Sequence, residues 1–233
     1  MASRRVLGAP LVEGLFVLAG ILGAFSVEAW WSWRGDRLDE SARLTAVRSE
    51  LLEAREGYEA HLGYLDQQNE YAAAILREAQ AYSGLESRLD SLLFRLGPFS
   101  EFQPPTAALE DATGPGGFAV IRSAAVRQGL ARYRALVERD YTEQLYVRDT
   151  FQREMSPLWQ QYVNTRDVMA TGAYLPEGYP RVEMPSLYED LLKDRRFLNQ
   201  VSARTIGVGR VRTRHANTLE QLDELVEVLS GAH

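Results

Sequence analysis

The sequence predicts an all-α protein: an N-terminal transmembrane helix followed by an elongated antiparallel helical bundle. Three observations predict it. An apolar run occupies residues 10–33. Beyond it, apolar residues recur at spacings of three and four through long stretches, while the apolar-polar alternation of strands does not occur. Proline and glycine collect near 97–117 and 171–186. The chain therefore divides into a short basic N-terminal segment, 1–9, a transmembrane helix, 10–33, and a helical bundle domain, 34–233, with connections at those two places.

The apolar run needs the closest justification, because Val12 to Trp31 reads VEGLFVLAGILGAFSVEAWW and carries a glutamate near each end. From Pro10 to Trp31 a helix extends about 33 Å, enough for a hydrocarbon core of about 30 Å. Glu13 and Glu28 then lie a little inside the two boundaries. At about 100° per residue, Glu13, Val17, Gly20, Ala24 and Glu28 share one side of the helix, and Leu15, Leu18, Leu22 and Phe25 the other. The leucine side suits lipid. The opposite side joins Gly20-x-x-x-Ala24 to two ionisable groups, the composition of a helix-packing face. The plainer alternative is that both carboxylates reach water at the ends of the span. Trp30, Trp31 and Trp33 fit a membrane interface. A cleavable signal peptide is the competing reading: Ser3-Arg4-Arg5 resembles a twin-arginine start and Val27-Glu28-Ala29 a cleavage site, but the pattern fails at Val6-Leu7-Gly8. Arginines flank both ends, so counting charge leaves orientation open.

After Trp33, Leu44, Val47, Leu51, Ala54, Tyr58, Leu62, Leu65, Ala72, Leu76 and Ala79 predict one helix over 35–82, and Leu85 to Leu96 a second stripe. The connection 97–117 contains Pro104-Pro105, one short helical piece and Gly114-Pro115-Gly116-Gly117. Those glycines match no phosphate-binding loop motif, so they read as a turn. A long helix is expected over 123–155, broken or kinked at Ser156-Pro157. A shorter piece covers 158–170, then comes a proline-rich surface loop, then helices over about 186–192 and 194–229. In the last, Gly207 and Gly209 are weak points or close-packing positions.

Composition excludes several functions. The chain has 233 residues, 45% hydrophobic and 25% charged, enough for a substantial folded domain beside a membrane segment. Its formal charge of -6 argues against nucleic acid. Lys193 is the only lysine, an arginine bias that points to a GC-rich bacterial genome. Without cysteine there are no disulfides, thiolate sites or cysteine nucleophiles. His61, His215 and His233 are far apart in sequence and stand in no metal motif, so they read as surface or packing residues, and no cofactor or metal is expected. Acid pairs such as Asp39-Glu40 and Glu189-Asp190 are what charged helix faces produce, and no nucleophile elbow or cofactor loop accompanies them.

The stretch from Glu13 through LFVLAGILGAFSVEAWWSWRGDRLDE, followed by LTAVRSELLEA, resembles an uncharacterised family of bacterial single-span membrane proteins. In that family a glutamate opens the span and an acidic or amide residue precedes one or more tryptophans, positions that look like Glu13, Glu28, Trp30 and Trp31 here. PPTAALEDATGPGGFAVIRSAAVRQGLARYRALV is similar to that family's short helix, glycine turn and helix with an aromatic pair, although Arg134 follows Tyr133 where a second aromatic is expected. The resemblance covers the anchor and about half of the remainder. It implies a periplasmic helical domain held in the cytoplasmic membrane, and no catalytic residues.

The function expected from these readings is a non-catalytic, membrane-anchored interaction protein, an accessory or scaffold subunit of a bacterial membrane complex. Its partners would be the lipid bilayer and another transmembrane helix, from a larger complex or from a second copy. The alternative is an extracytoplasmic sensor or ligand-binding bundle, although such receptors usually carry a second span and an output domain. An anchored hydrolase would need a convergent polar pocket.

Overall fold

The computed structural model describes residues 8–82, 84, 86–97, 99–172, 175–180 and 184–231, with side chains described from residue 14 onward. His233 lies outside the described residues, as does the side chain of Glu13. Every regular element among the described residues is helical.

Helix α1 spans Gly8–Gln80, 73 residues, or about 110 Å. It fuses the apolar run and the first bundle helix into one rod, because no proline follows Pro10 until Pro98 and Gly35 alone does not break a helix. One stretch of α1 is long and apolar enough to cross a membrane, and none of it is buried. Burial begins at Leu44, about 16 Å further along than Trp33.

From there three long helices pack together: α1, α5 (Ala124–Thr150) and α9 (Arg195–Gly231). From Leu44 to Ile75 the buried positions of α1 are Leu44, Val47, Leu51, Ala54, Tyr58, His61, Leu65, Gln68, Ala72 and Ile75. Their spacing alternates three and four without a slip. In α9 the same rhythm runs through Phe197, Val201, Arg204, Val208, Val211, His215, Thr218, Leu222, Leu225 and Leu229. This is the seven-residue repeat of supercoiled helices, in which alternate a and d positions face a shared seam.

Leu222, Leu225 and Leu229 join Leu44 to Tyr58 and Val126 to Tyr133 in one core cluster, at the end nearest the apolar segment. Phe197 and Val201 join Ala72 and Ile75 at the far end. Helix α9 is therefore antiparallel to α1, and α5 runs parallel to α1. Parallel neighbours need a long return path, and residues 81–123 supply it. Helix α2 (Glu86–Leu96) turns back along α1, and an extended segment then descends past His61 and Tyr58. Helices α3 (Ala107–Thr113) and α4 (Gly117–Val120) complete the descent.

Glutamates of α1 pin this path. The two carboxylate oxygens of Glu50 accept from the amides of Ala108 (2.7 Å) and Leu109 (2.9 Å) at the start of α3, and Glu40 accepts from Arg122 (2.7 Å). The expected glycine turn is present: Gly116 has φ +91°. A Cβ on Gly117 would lie 2.3 Å from the Asp111 carbonyl oxygen. A phosphate there would meet carbonyl oxygens and not N–H donors.

The long helix expected over 123–155 ends in a π-helical turn, Phe151–Met155, whose closing bond runs from Ser156 N–H to Phe151 O. Pro157 has no N–H to continue the ladder, so the register loosens just before it. The piece expected over 158–170 is two: α6 (Ser156–Trp159) and α7 (Thr165–Ala170), separated where Tyr162 O accepts from Leu187 N at 2.6 Å. Asn164 Oδ1 caps α7. Helix α8 (Tyr188–Lys193) precedes α9. Gly207 proves to be a close-packing position, since a Cβ there would sit 3.1 Å from Val147, whereas Gly209 faces open space.

Candidate functional site

Two arrangements stand apart from ordinary core packing: the exposed face of the apolar segment and a polar layer inside the bundle. Along the apolar segment, Val17 is 60% exposed, and Gly20, Ala24 and Glu28 are exposed beside it. Apart from its chain neighbours and the backbone of its own helix, no atom of the described residues lies within 4 Å of where a Cβ on Gly20 would be. Leu15, Leu18, Leu22 and Phe25 are equally uncovered on the opposite side. Both faces lie on one continuous helix, and the described residues cover neither. Ser26 does not add to the packing face, because its hydroxyl bonds back to the Leu22 carbonyl at 2.7 Å.

Trp30, Trp31 and Trp33 stand just beyond and are about half exposed. Trp30 and Trp31 meet edge to face with centroids 5.5 Å apart. The Arg34 guanidinium lies 5.8 Å from the Trp30 ring centre, and Arg37 and Arg122 lie 5.2 and 5.6 Å from Trp33. Arg122 comes from the link between α4 and α5. It therefore brings the base of the bundle against the tryptophans.

Inside the bundle the three seams bring together side chains distant in sequence. His61 of α1, Asp140 and Gln144 of α5, and His215 and Thr218 of α9 all occupy seam positions and are buried. His215 has no exposed surface. Ser100's carbonyl can only accept, so His61 Nε2 carries the hydrogen of their 2.9 Å bond. A neutral His61 then offers a bare Nδ1, which accepts from His215 Nε2 at 2.9 Å. His215 Nδ1 faces Asp140 Oδ2 at 3.2 Å, and Thr218 donates to the same oxygen at 2.8 Å. A bare nitrogen opposite a bare carboxylate oxygen would repel. The contact between His215 Nδ1 and Asp140 Oδ2 is therefore a hydrogen bond.

Burial pushes His61 down to about 4; its bond to the Ser100 carbonyl opposes the shift, and the neighbouring His215 adds to it. This supports the neutral ring used above. Tyr58 packs edge to face on His215 with centroids 5.0 Å apart. The hydroxyls of Tyr58 and Tyr133 are buried without hydrogen-bond partners among the described residues, and burial raises both far above the ordinary tyrosine value. Gln144 closes the layer by donating to Phe102 O at 3.0 Å and accepting from Phe102 N at 2.7 Å. A side-chain amide thereby pairs an extended strand of chain as a neighbouring strand would.

His61 and His215 are packing residues, one of the two roles expected of them, but they are joined in one network that their sequence separation hid. Among the described residues no group of three or more His, Asp or Glu side chains is placed to hold a metal ion. The network lines none of the described cavities. Its chemistry is that of a satisfied buried polar layer, which fixes which residues of three helices stand level with one another.

The signal that could have found this layer was in the sequence. His61, Asp140, Gln144, His215 and Thr218 all fall on the three-and-four rhythm of their helices, at positions where an apolar residue is the rule.

The chain matches no protein-family model, no curated protein and no solved structure.

Proposed function

We propose that this protein is a membrane-anchored, non-catalytic interaction protein, an accessory or scaffold subunit of a bacterial membrane complex whose bundle stands on the periplasmic side. The observation that carries this reading is the contrast along α1. Past Leu44 the helix is covered by its own chain, while from Gly14 to Trp33 it is bare on every side. Lipid covers a leucine face well. The face with Gly20, Ala24 and Glu28 lacks the bulk that lipid contact favours and offers the close approach that another transmembrane helix uses.

The tryptophan and arginine collar supports an interfacial position for the base of the bundle, since indole rings and snorkelling arginines both favour the headgroup region. The arginine-rich composition and the resemblance to a bacterial single-span family support the bacterial, periplasmic assignment. The continuity of α1 gives the anchor a mechanical role. A helix held by a partner in the bilayer sets the position and rotation of the whole bundle, with no flexible linker between.

The test is co-purification from native membranes in mild detergent. Gly20→Leu/Ala24→Leu should lower recovery of the partner roughly tenfold, equivalent to about 1.4 kcal/mol of lost helix packing. Leu18→Ala on the lipid face should leave recovery unchanged. Equal recovery of wild type and the double variant would count against the interface.

A further inference from the structure

Arg204 belongs to a second polar layer, about three turns along α9 from His215. Its side chain is 5% exposed and lies in the seam between α1, α5 and α9. One nitrogen is used fully: Nη2 donates to Gln68 Oε1 at 3.2 Å and to the Gly97 carbonyl at 3.0 Å. Nε and Nη1 are buried and have no hydrogen-bond partner among the described residues. No carboxylate of the described residues pairs with this guanidinium, whereas Arg88, Arg148, Arg210 and Arg214 each pair with one. The rings of Phe151 (4.9 Å) and Phe99 (5.8 Å) partly offset the charge. Burial nonetheless pushes Arg204 down to about 10.

A buried cation with two idle donors is costly unless something completes it. Arg204 lines a cavity of about 220 Å³ between α5, the π-turn and α9. The walls are mostly apolar, with Val147, Phe151, Met155 and Ile206, and Thr150 and Gln200 are uncharged polar side chains among them. The π-turn contributes Phe151 and Met155 to this lining. At the rim Arg210 is already engaged by Glu143 at 2.9 Å and stacks on Tyr146, so it adds no free charge.

We infer that this cavity is a binding site for a small monocarboxylate with a short apolar body, whose carboxylate is the counter-ion of Arg204. A single negative charge balances this buried guanidinium, and the apolar part of the walls takes the hydrocarbon. A dianionic phosphate would bring surplus charge into an apolar chamber. The site goes beyond the anchoring role proposed above and does not depend on it.

The test uses the full chain in detergent, with hexanoate as probe and hexanamide as its uncharged counterpart. Hexanoate at millimolar concentration should raise the unfolding temperature by several degrees in a saturable way, and hexanamide should not. Arg204→Met removes the counter-charge and should reduce hexanoate affinity at least tenfold. Ala203→Trp, at an exposed wall position, fills the cavity while keeping Arg204, and should do the same even if Arg204→Met folds poorly. No stabilisation by hexanoate, equal stabilisation by hexanamide, or retained affinity in Ala203→Trp would each overturn the site.

Discussion

Asp140 Oδ2 is the acceptor on which two buried donors of α9 converge, and His215 sits between it and His61. Removing the carboxylate leaves both donors of α9 unpaired in a dry seam. Asp140→Ala should therefore cost about 3–5 kcal/mol, read as a lowered chemical-denaturation midpoint with little change in slope. A loss under about 1 kcal/mol would mean that the network is not the constraint its geometry implies. His61 adds a pH dependence. Its folded value, about 4, lies below the ordinary histidine value near 6.5, so the native state binds fewer protons than the unfolded state between those values. Its contribution is present above about pH 6.5 and is lost as pH falls toward 4, amounting to about 3 kcal/mol at most. Denaturation series across that window should show the slope in wild type and lose that part in His61→Gln. These residues were legible in the sequence only as polar interruptions of a heptad rhythm. Which interruptions meet depends on the direction and stagger of three helices, and residue spacing does not encode that.

At the scale of elements, the apolar stripes located the long helices to within a few residues, because a three-and-four pattern over many turns has no other regular solution. The departures come from local chemistry. Pro157 affects the helix before it, so the break expected at Ser156-Pro157 shows itself as a π-turn at 151–155. The return path along α1 was not legible, since its extended segment is held by contacts to Gln144, His61 and Glu50 that lie far away in sequence. Gly57 shows how tightly that path sits. A Cβ there would lie 2.4 Å from the Phe102 ring, which already packs against Tyr58. Gly57→Ala should destabilise the bundle by about 1–3 kcal/mol despite its gain in helix propensity, as measured by thermal or chemical unfolding. An increase in stability would show that Phe102 gives way easily.

For the whole molecule, the all-α architecture and the N-terminal apolar helix followed from composition and periodicity alone. The fusion of apolar run and bundle into one rod did not, because a boundary was read at Trp33 where composition changes and helical structure does not. That rod makes rotation of the face with Gly20 and Ala24 and rotation of the bundle one motion. The measurement that tests the central claim most directly is the mass and composition of the assembly released from native membranes in mild detergent. The account predicts a stoichiometric second membrane protein with the wild-type chain, and its loss with Gly20→Leu/Ala24→Leu while the bundle stays folded. A wild-type chain that emerges alone, or a partner retained in full by the double variant, would contradict it.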